Sequence, residues 1–371
     1  MNGIRACHMT SAHGAEDVRI FHKECVSLAQ AGYEVYLVER GESYDKNGVH
    51  IVGVGELPGG RLKRMTEGAK RVYETALALD CDLYHFHDPE LLPYGLKLKK
   101  KGKKVIFDSH ELTREQIKRK PYLPKWLAGL IAAVYTAYEN AVLKRLDGVV
   151  FPCPVEGVFP LPGKNTAFVN NVPRLSELYD RFDPTAEKER DAICTVGSLT
   201  RDRGTVPLIR AAQRAGCRVY LAGKVSPESL EREIEEMPER EAAVFLGVLN
   251  REEVVRLLNR CRVGASPLLN VGQYDRIQNL PTKVYEYMAM GLPVILTKNP
   301  YNQKMTETYR FGLCVEPEDV DGFAAAIREL LEQPKRAKEM GMNGRSAVKQ
   351  VFNWEHEQQN LLNLYSSVFR G

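Results

Sequence analysis

The sequence predicts an α/β protein of two consecutive domains, each a parallel sheet with helices on both faces, and three observations carry that prediction. At 371 residues the chain exceeds the size at which one hydrophobic core usually keeps growing. Short β-rich runs alternate with longer helical patterns, as βαβ units require. The alternation halts at a polar stretch and then starts afresh.

The first series runs GIRACHM, the helical VRIFHKECVSLAQAGY, EVYLVER, the helical RMTEGAKRVYETALAL, DLYHFH and KKVIFDSHE. The second runs AICTVGS, a helix from about Val206 to Arg214, CRVYLAGK, a Glu-rich helix, AAVFLGV, EEVVRLLNRC, RVGASPL and NLPTKVYEYMAMGLPVI. Between them, PRLSELYDRFDPTAEKERD is polar and charged enough to serve as a linker. The expected division is therefore 1–173, a linker at 174–190, a second domain at 191–350, and 351–371. In the last segment FNWEHEQQNLLNLYSSVF forms an amphipathic helix that packs back on the first domain.

Hydrophobic and charged fractions of 44% and 27% are those of an ordinary globular protein. No run of 18 or more continuous apolar residues occurs, and MNGIRACHMTSAHG lacks the apolar core of a signal peptide, so a cytoplasmic location is expected. Eight cysteines without a CxxC pair argue against a disulfide framework or a zinc site and read as reduced structural thiols. A net charge of +4 does not call for nucleic acid. Its distribution is uneven: Lys97 to Lys125 holds eleven Lys/Arg against three acids. Solvated helix ends explain this, as does a patch facing anionic lipid at the inner membrane face, where each basic residue contributes roughly 1 kcal/mol. The apolar YLPKWLAGLIAAVYTAYENAVLKRL that follows is either an interfacial helix or a buried one.

Ligands of open parallel sheets bind outside the carboxyl ends of the strands, and two such domains facing each other make a cleft. Four junctions stand out. In MTSAHGAEDVRIF, Gly14 and small neighbours precede a helix capped by Asp17, leaving backbone N–H groups open to a ligand. His8 and His13 flank that loop, and for either alone a structural role reads equally well. VGVGELPGG has the glycines of a dinucleotide fingerprint but the wrong context and spacing. In FHDPELLP, His87 and Asp88 end a strand; in FDSHE, Asp108, His110 and Glu111 do so. Their spacing is not a metal motif, so positioning a polar substrate or handling its protons is the better reading. In VGSLTRDRG, Arg201 and Arg203 on a Gly-bounded loop look like a bidentate anion clamp, set against two ordinary solvated arginines.

In NLPTKVYEYMAMGLPVI, Pro281 suits a first helical position, Gly291 a residue past the end, and Pro293 prevents continuation. The helix is then about ten residues long, with Lys283 and Glu286 near its start and Val284, Tyr285, Met288 and Ala289 in the core. A surface salt bridge between Lys283 and Glu286 is the plain alternative to a site.

Taken in order, HMTSAHGAEDVRIFHKE, FHDPELLP, VIFDSHE, VGSLTRDRG, LAGK, FLGVLNREEVVRLL, NLPTKVYEYMAMGLPVI and FNWE resemble glycosyltransferase family 4 over nearly the whole chain. The resemblance implies two Rossmann-like domains facing across a cleft, the GT-B type, and a retaining enzyme that uses a nucleotide sugar. It places Glu286 on the ribose hydroxyls and Arg203 on the diphosphate, with Ser198 where a second Arg is common and Arg201 nearby to compensate. His110 lies against the donor sugar and Leu249 where the base meets backbone groups. Gln278, eight residues before Glu286, departs from the EX7E pattern; Asp275 substitutes, or Gln278 binds sugar hydroxyls as a neutral amide.

The expected catalytic residues are therefore His110, Arg203 and Lys283. Gly14, Ser198, Arg201, Leu249, Gln278, Thr282 and Glu286 are expected to bind the donor, and His13, His87 and Asp88 to lie toward the acceptor. Backbone N–H groups and the dipole at the start of the helix after Pro281 favour the diphosphate by roughly 0.3–1 kcal/mol, and Lys283 adds a point charge. No DxD pair ends a strand, so neither metal nor cofactor is expected. UDP is the first expectation for the donor nucleotide and GDP the second, with a saccharide or lipid-linked saccharide as acceptor. A phosphorylase or sugar-nucleotide epimerase on the same fold, and a non-catalytic sugar-nucleotide binder, are the competing readings.

Overall fold

Apolar runs of four to six residues form the centre of two parallel sheets. In a computed structural model that describes residues 3–56, 60–109, 113–118, 124–154, 165–271 and 277–370, the chain divides into two units. One is Met1–Asn171 with Glu357–Gly371, the other Val172–His356.

The first unit holds an eight-stranded sheet of β1 (Arg5–Met9), β2 (Glu34–Glu39), β3 (Tyr44–Lys46), β4 (Val49–Gly53), β5 (Leu83–Phe86), β6 (Lys104–Asp108), β7 (Gly148–Phe151) and β8 (Asn165–Phe168). The order is β3-β4-β2-β1-β5-β6-β7-β8, parallel throughout except for the β3–β4 hairpin at one edge. Side chains alternate between faces, and the register of β1 on β5 sets Cys7 beside Tyr84, His8 beside His85, and Met9 beside Phe86. Cys7, Met9, Tyr84, Phe86 and Phe107 join one apolar cluster. The opposite face therefore carries His8 and His85.

The helix Lys125–Leu143 connects β6 to β7, with Ala128, Ala132, Val142 and Leu143 buried. By length and composition it is apolar enough to cross a membrane, yet only 22% of it is buried, so the buried-helix reading does not hold. Trp354–Arg370 ends the chain, and its Leu364 and Val368 lie 3.1 and 3.3 Å from where a Cβ on Gly148 of β7 would stand.

The second unit has β9 (Ala192–Val196), β10 (Arg218–Ala222), β11 (Ala243–Gly247), β12 (Val263–Ser266), β13 (Val294–Thr297) and β14 (Gly312–Val315) in the order β11-β10-β9-β12-β13-β14. That is the 3-2-1-4-5-6 order of a doubly wound nucleotide-binding sheet, with its switch point between β9 and β12. The expected linker at 174–190 is instead built into this unit. Leu178 is fully buried in its core, Arg181 pairs with Glu252 at 2.6 Å, and the Arg345 guanidinium sits 3.8 and 4.2 Å from the ring centres of Tyr179 and Phe182. A polar composition marked an exposed surface here, while a few apolar anchors fix the segment. The chain passes between units after Asn171 and again after His356, inside the terminal helix.

Candidate functional site

At the switch point of the second unit, β9 runs into Gly197 (φ 104°), and Gly204 (φ 68°) begins the helix Thr205–Ala215. A Cβ on Gly204 would stand 2.0 Å from the carbonyl oxygen of Pro267, so only glycine lets the loops after β9 and β12 abut. Two cations reach the same spot from different elements. A Cβ on Gly197 would lie 3.5 Å from Arg203 Nη1 and 4.0 Å from Lys283 Cε.

Lys283 belongs to the helix Thr282–Ala289, which packs Val284, Tyr285, Tyr287, Met288 and Ala289 into the core. The Tyr287 hydroxyl accepts from the Val196 N–H at 2.8 Å, tying the helix to the end of β9. Pro281 is the N-cap rather than the first helical residue, the helix has eight residues rather than ten, and no side chain caps its N-terminus. Gly291, in the left-handed region at φ 66°, ends it as expected. The Lys283 ammonium donates to Thr195 Oγ1 at 3.1 Å. Desolvation, with Arg203 adding like-charge repulsion, pushes its pKa down to about 7. Among the described residues neither Arg203 nor Lys283 has a carboxylate within ion-pair distance.

One turn deeper, Glu286 Oε1 accepts from Arg251 Nη1 at 2.9 Å, and Arg251 Nη2 reaches Glu177 Oε1 at 2.6 Å. The Lys283–Glu286 salt bridge does not form. Arg251 opens the helix Arg251–Arg260, whose N-cap Asn250 exchanges bonds with Glu253 in a capping box. That signal, Asn followed three residues on by Glu, was legible in LNREE. The reach of Arg251 to Glu286 was not, because 35 residues separate them.

Other expected donor residues fall differently. Arg201 is exposed and paired through both guanidinium nitrogens with Glu233, so it does not join Arg203 in a clamp. Ser198, Thr282 and Gln278 are exposed, and Leu249 is half-buried against the core. His110 and Asp275 lie outside the described residues.

In the first unit, the loop after β1 is occupied by the protein itself. Asp88 Oδ2 accepts from Thr10 Oγ1 at 2.8 Å, Ser11 N at 2.6 Å and Ala12 N at 3.2 Å. Asp17 Oδ1 caps the following helix through Arg19 N and Ile20 N at 2.8 and 2.9 Å. Burial would raise the Asp17 pKa, but the bonds from His13 and these amides outweigh it and hold the carboxyl below the usual range. The backbone N–H groups expected to meet a ligand at Gly14 thus already bind side chains, although Gly14 itself is exposed with open space beside it. His13 is half-buried between Asp17 at 3.1 Å and Asp88 at 3.6 Å.

His87 and Asp88, expected toward the acceptor, are 2% and 3% exposed and are corrected to interior groups. His87 Nε2 lies 2.9 Å from His8 Nδ1, and its Nδ1 lies 3.2 Å from Asp108 Oδ2. Arg19 closes on Asp108 with two bonds, at 2.8 and 3.0 Å. The residue order in FHDPELLP cannot reveal which strand-end side chains turn inward.

Residues 177–347 match the family model described as Glycosyl transferases group 1, and residues 19–157 match Glycosyltransferase Family 4. The chain is 32% identical over 123 residues to the GDP-mannose-dependent monoacylated alpha-(1-6)-phosphatidylinositol monomannoside mannosyltransferase of Corynebacterium glutamicum, covering 33% of this chain and 32% of that protein. It is 26% identical over 194 residues to alpha-maltose-1-phosphate synthase of Mycolicibacterium smegmatis, covering 48% of each. The chain thus spans a third to a half of the length of these curated relatives. Among solved structures, sucrose-phosphate synthase from Thermosynechococcus elongatus superposes with a TM-score of 0.78 at 20% identity over 99% of both chains. Anabaena HepE in complex with UDP superposes at 0.69 and 14% identity over 99% of this chain and 100% of that one. At such identities these two structures show the fold, α/β with two Rossmann-like units of the GT-B type.

Proposed function

The chain belongs to glycosyltransferase family 4, and from that premise we propose that it transfers a sugar from a nucleoside-diphosphate donor to a saccharide or lipid-linked saccharide. The transfer retains anomeric configuration, and no metal acts at the pyrophosphate. One observation carries the reading: Arg203 and Lys283 meet at Gly197, beside an uncapped helix N-terminus, with no carboxylate of a described residue to neutralise them. Desolvating the Lys283 ammonium beside Arg203 without a counter-ion is costly, and a diphosphate removes that cost.

Departure of the nucleoside diphosphate builds negative charge on the leaving oxygen. Arg203, Lys283 and the peptide N–H groups at the start of Thr282–Ala289 stabilise it in place, which is the role a divalent cation has elsewhere. Glu286, held by Arg251 and facing away from the phosphates, accepts from two adjacent ribose hydroxyls. Gln278 offers a neutral amide to the donor sugar where a carboxylate is common in the family. HepE complexes with UDP, with UDP and glucose, and with UDP-glucose support UDP as the nucleotide. The GDP-mannose-dependent relatives support GDP-mannose as the next candidate.

A thermal-shift screen of nucleotide sugars tests the reading, because a ligand of the native state alone raises its stability. The expected result is stabilisation by one nucleoside-diphosphate sugar in chelator, followed by product with the donor's anomeric configuration by NMR. Donor consumed without an acceptor would favour the phosphorylase or epimerase reading, and binding without turnover the non-catalytic one.

A second observation supports peripheral contact with an anionic membrane. Trp126, Leu130, Val134 and Tyr138, 73%, 57%, 63% and 41% exposed, follow one another at four-residue spacing along Lys125–Leu143. The adjoining lysines contribute less than their number suggests, since Lys99 and Lys103 pair with Asp147 and Asp80. Sedimentation with anionic liposomes at low salt checks this, and no sedimentation removes it.

A further inference from the structure

Behind the loop after β1, three imidazoles are packed together inside the first unit with nothing apolar to separate them. His8, His85 and His87 are 0%, 0% and 2% exposed, with ring centres 4.6 to 5.1 Å apart. Glu24, 0% exposed, faces them from the helix that follows β1. One nitrogen or oxygen from each of His8, Glu24, His85 and His87 falls within 4.8 Å of all the others.

The outer contacts of the rings follow a pattern. His87 Nδ1 lies 3.2 Å from Asp108 Oδ2, while His8 Nε2 and His85 Nδ1 lie 3.0 and 2.9 Å from the Tyr365 hydroxyl. Each ring thus has one nitrogen held from behind; of the inner nitrogens, His8 Nδ1 and His87 Nε2 share a hydrogen bond at 2.9 Å and His85 Nε2 has no partner. An imidazole fixed in this way by a carboxylate or hydroxyl is how metal-ligating histidines are oriented.

A network of neutral side chains leaves this cluster unsatisfied. His85 Nε2 and both carboxylate oxygens of Glu24 are buried without a hydrogen-bond partner. Arg19 Nε is 3.0 Å from Glu24 Oε1, but its single N–H is directed at Asp108, 2.8 Å away. Buried polar atoms left unpaired cost about 1–3 kcal/mol each, a cost that coordination to a cation removes.

We propose that His8, His85, His87 and Glu24 form a tetrahedral site for a divalent transition-metal ion, best suited to zinc, that locks the first unit's sheet to its first helix and to the terminal helix bearing Tyr365. Three imidazole nitrogens and one carboxylate oxygen are a zinc donor set. Bonds of about 2.0–2.1 Å give a tetrahedron with edges of about 3.3 Å; His8 Nδ1 and His87 Nε2, 2.9 Å apart, open slightly to reach it, and the other ligand atoms, all within 4.8 Å of one another, adjust around them. Sequence spacing hid the site, because its members stand on β1, on β5 and just past its end, and on the intervening helix, rather than in a short motif. The ion is structural and all its ligands belong to the first unit, whereas the donor residues belong to the second; nucleotide binding tests the donor site, and metal content tests this one.

The test is elemental analysis of the full chain grown with added zinc, followed by chelator-assisted unfolding and refolding with Co²⁺. About one zinc per chain and the intense visible absorption of tetrahedral Co²⁺ are expected. His85→Gln and Glu24→Gln should each lose both signals, while His50→Gln, an exposed histidine 2.6 Å from Asp45, should keep them. Tyr365→Phe should weaken zinc about 10- to 100-fold, as outer-contact losses do. If the ligand variants fail to fold, zinc-edge absorption of the wild-type protein decides, with three imidazoles and one oxygen expected. Absence of stoichiometric metal in the wild type, retention of it in both ligand variants, or sulfur in the ligand set overturns the proposal.

Discussion

The two units present the same topological switch point and use it in opposite ways. After β1, the carboxylates of Asp88 and Asp17 take the loop and helix N–H groups, and Asp108 takes the Arg19 guanidinium. After β9, Arg203 and Lys283 converge on Gly197 without a carboxylate among the described residues, beside a helix that no side chain caps. A parallel sheet supplies the place for a ligand in both. Local charge balance decides which place is filled by the protein and which is left for an anion.

The largest test of that contrast is Arg203→Ala. Removing a donor aimed at developing negative charge costs about 10²–10³ in turnover, so steady-state kinetics with saturating donor should show a loss of that order. A near-normal rate would falsify the phosphate assignment. Next is Glu286→Ala, which deletes a charged acceptor worth about 1.5–3 kcal/mol, or roughly 10- to 100-fold in nucleotide Kd. Calorimetry that finds unchanged affinity removes Glu286 from the ribose. Arg251→Met keeps the carboxylate but frees it, so its effect on Kd should be in the same direction and smaller. With kcat at saturating donor preserved, that identifies Arg251 as a positioning residue.

Lys283 gives the contrast a pH dependence. In the ligand-free protein its pKa is about 7 against an ordinary 10.5, so at pH 8 the group is mostly neutral. A bound diphosphate offsets the repulsion from Arg203 and restores the charge. UDP binding at pH 8 should therefore take up protons, read by calorimetry in buffers of different ionisation enthalpy. Lys283→Met should abolish the uptake, and its absence in the wild type would place the phosphates elsewhere. For the ligand-free fold, the unfolded chain holds the extra proton between about pH 7 and 10.5. This group's contribution to stability accordingly rises with pH across that window and is least favourable below it.

Much of this was legible because backbone periodicity and helix punctuation are local. The strand runs, their restart after the polar segment, and the burial of Val284, Tyr285, Met288 and Ala289 all follow from spacing of apolar residues. What spacing does not encode is the direction of a side chain at a strand end. His87 is two residues beyond His85 and shares its face, so pairing β1 with β5 drew it inward beside His8. Arg251 was missed for the complementary reason: its role depends on Glu286 and Glu177, brought together only by packing of three separate segments.

Arg201 and Arg203 are the sharpest case, two residues apart on one loop and indistinguishable in sequence. Arg203 turns toward Gly197, whereas Arg201, 56% exposed at its side chain, faces Glu233 on the helix Glu228–Glu235. An exposed ion pair contributes about 0–1 kcal/mol. Arg201→Ala should therefore lower thermal stability by at most that amount and change turnover by no more than a few-fold. Glu233→Ala discriminates further, because it leaves Arg201 free to swing toward the phosphates. If Arg201 then supplements Arg203, the double variant Arg203→Ala, Glu233→Ala should recover part of the activity lost in Arg203→Ala alone. No recovery would mean that the position of the guanidinium on the loop, and not its pairing, excludes Arg201 from the site.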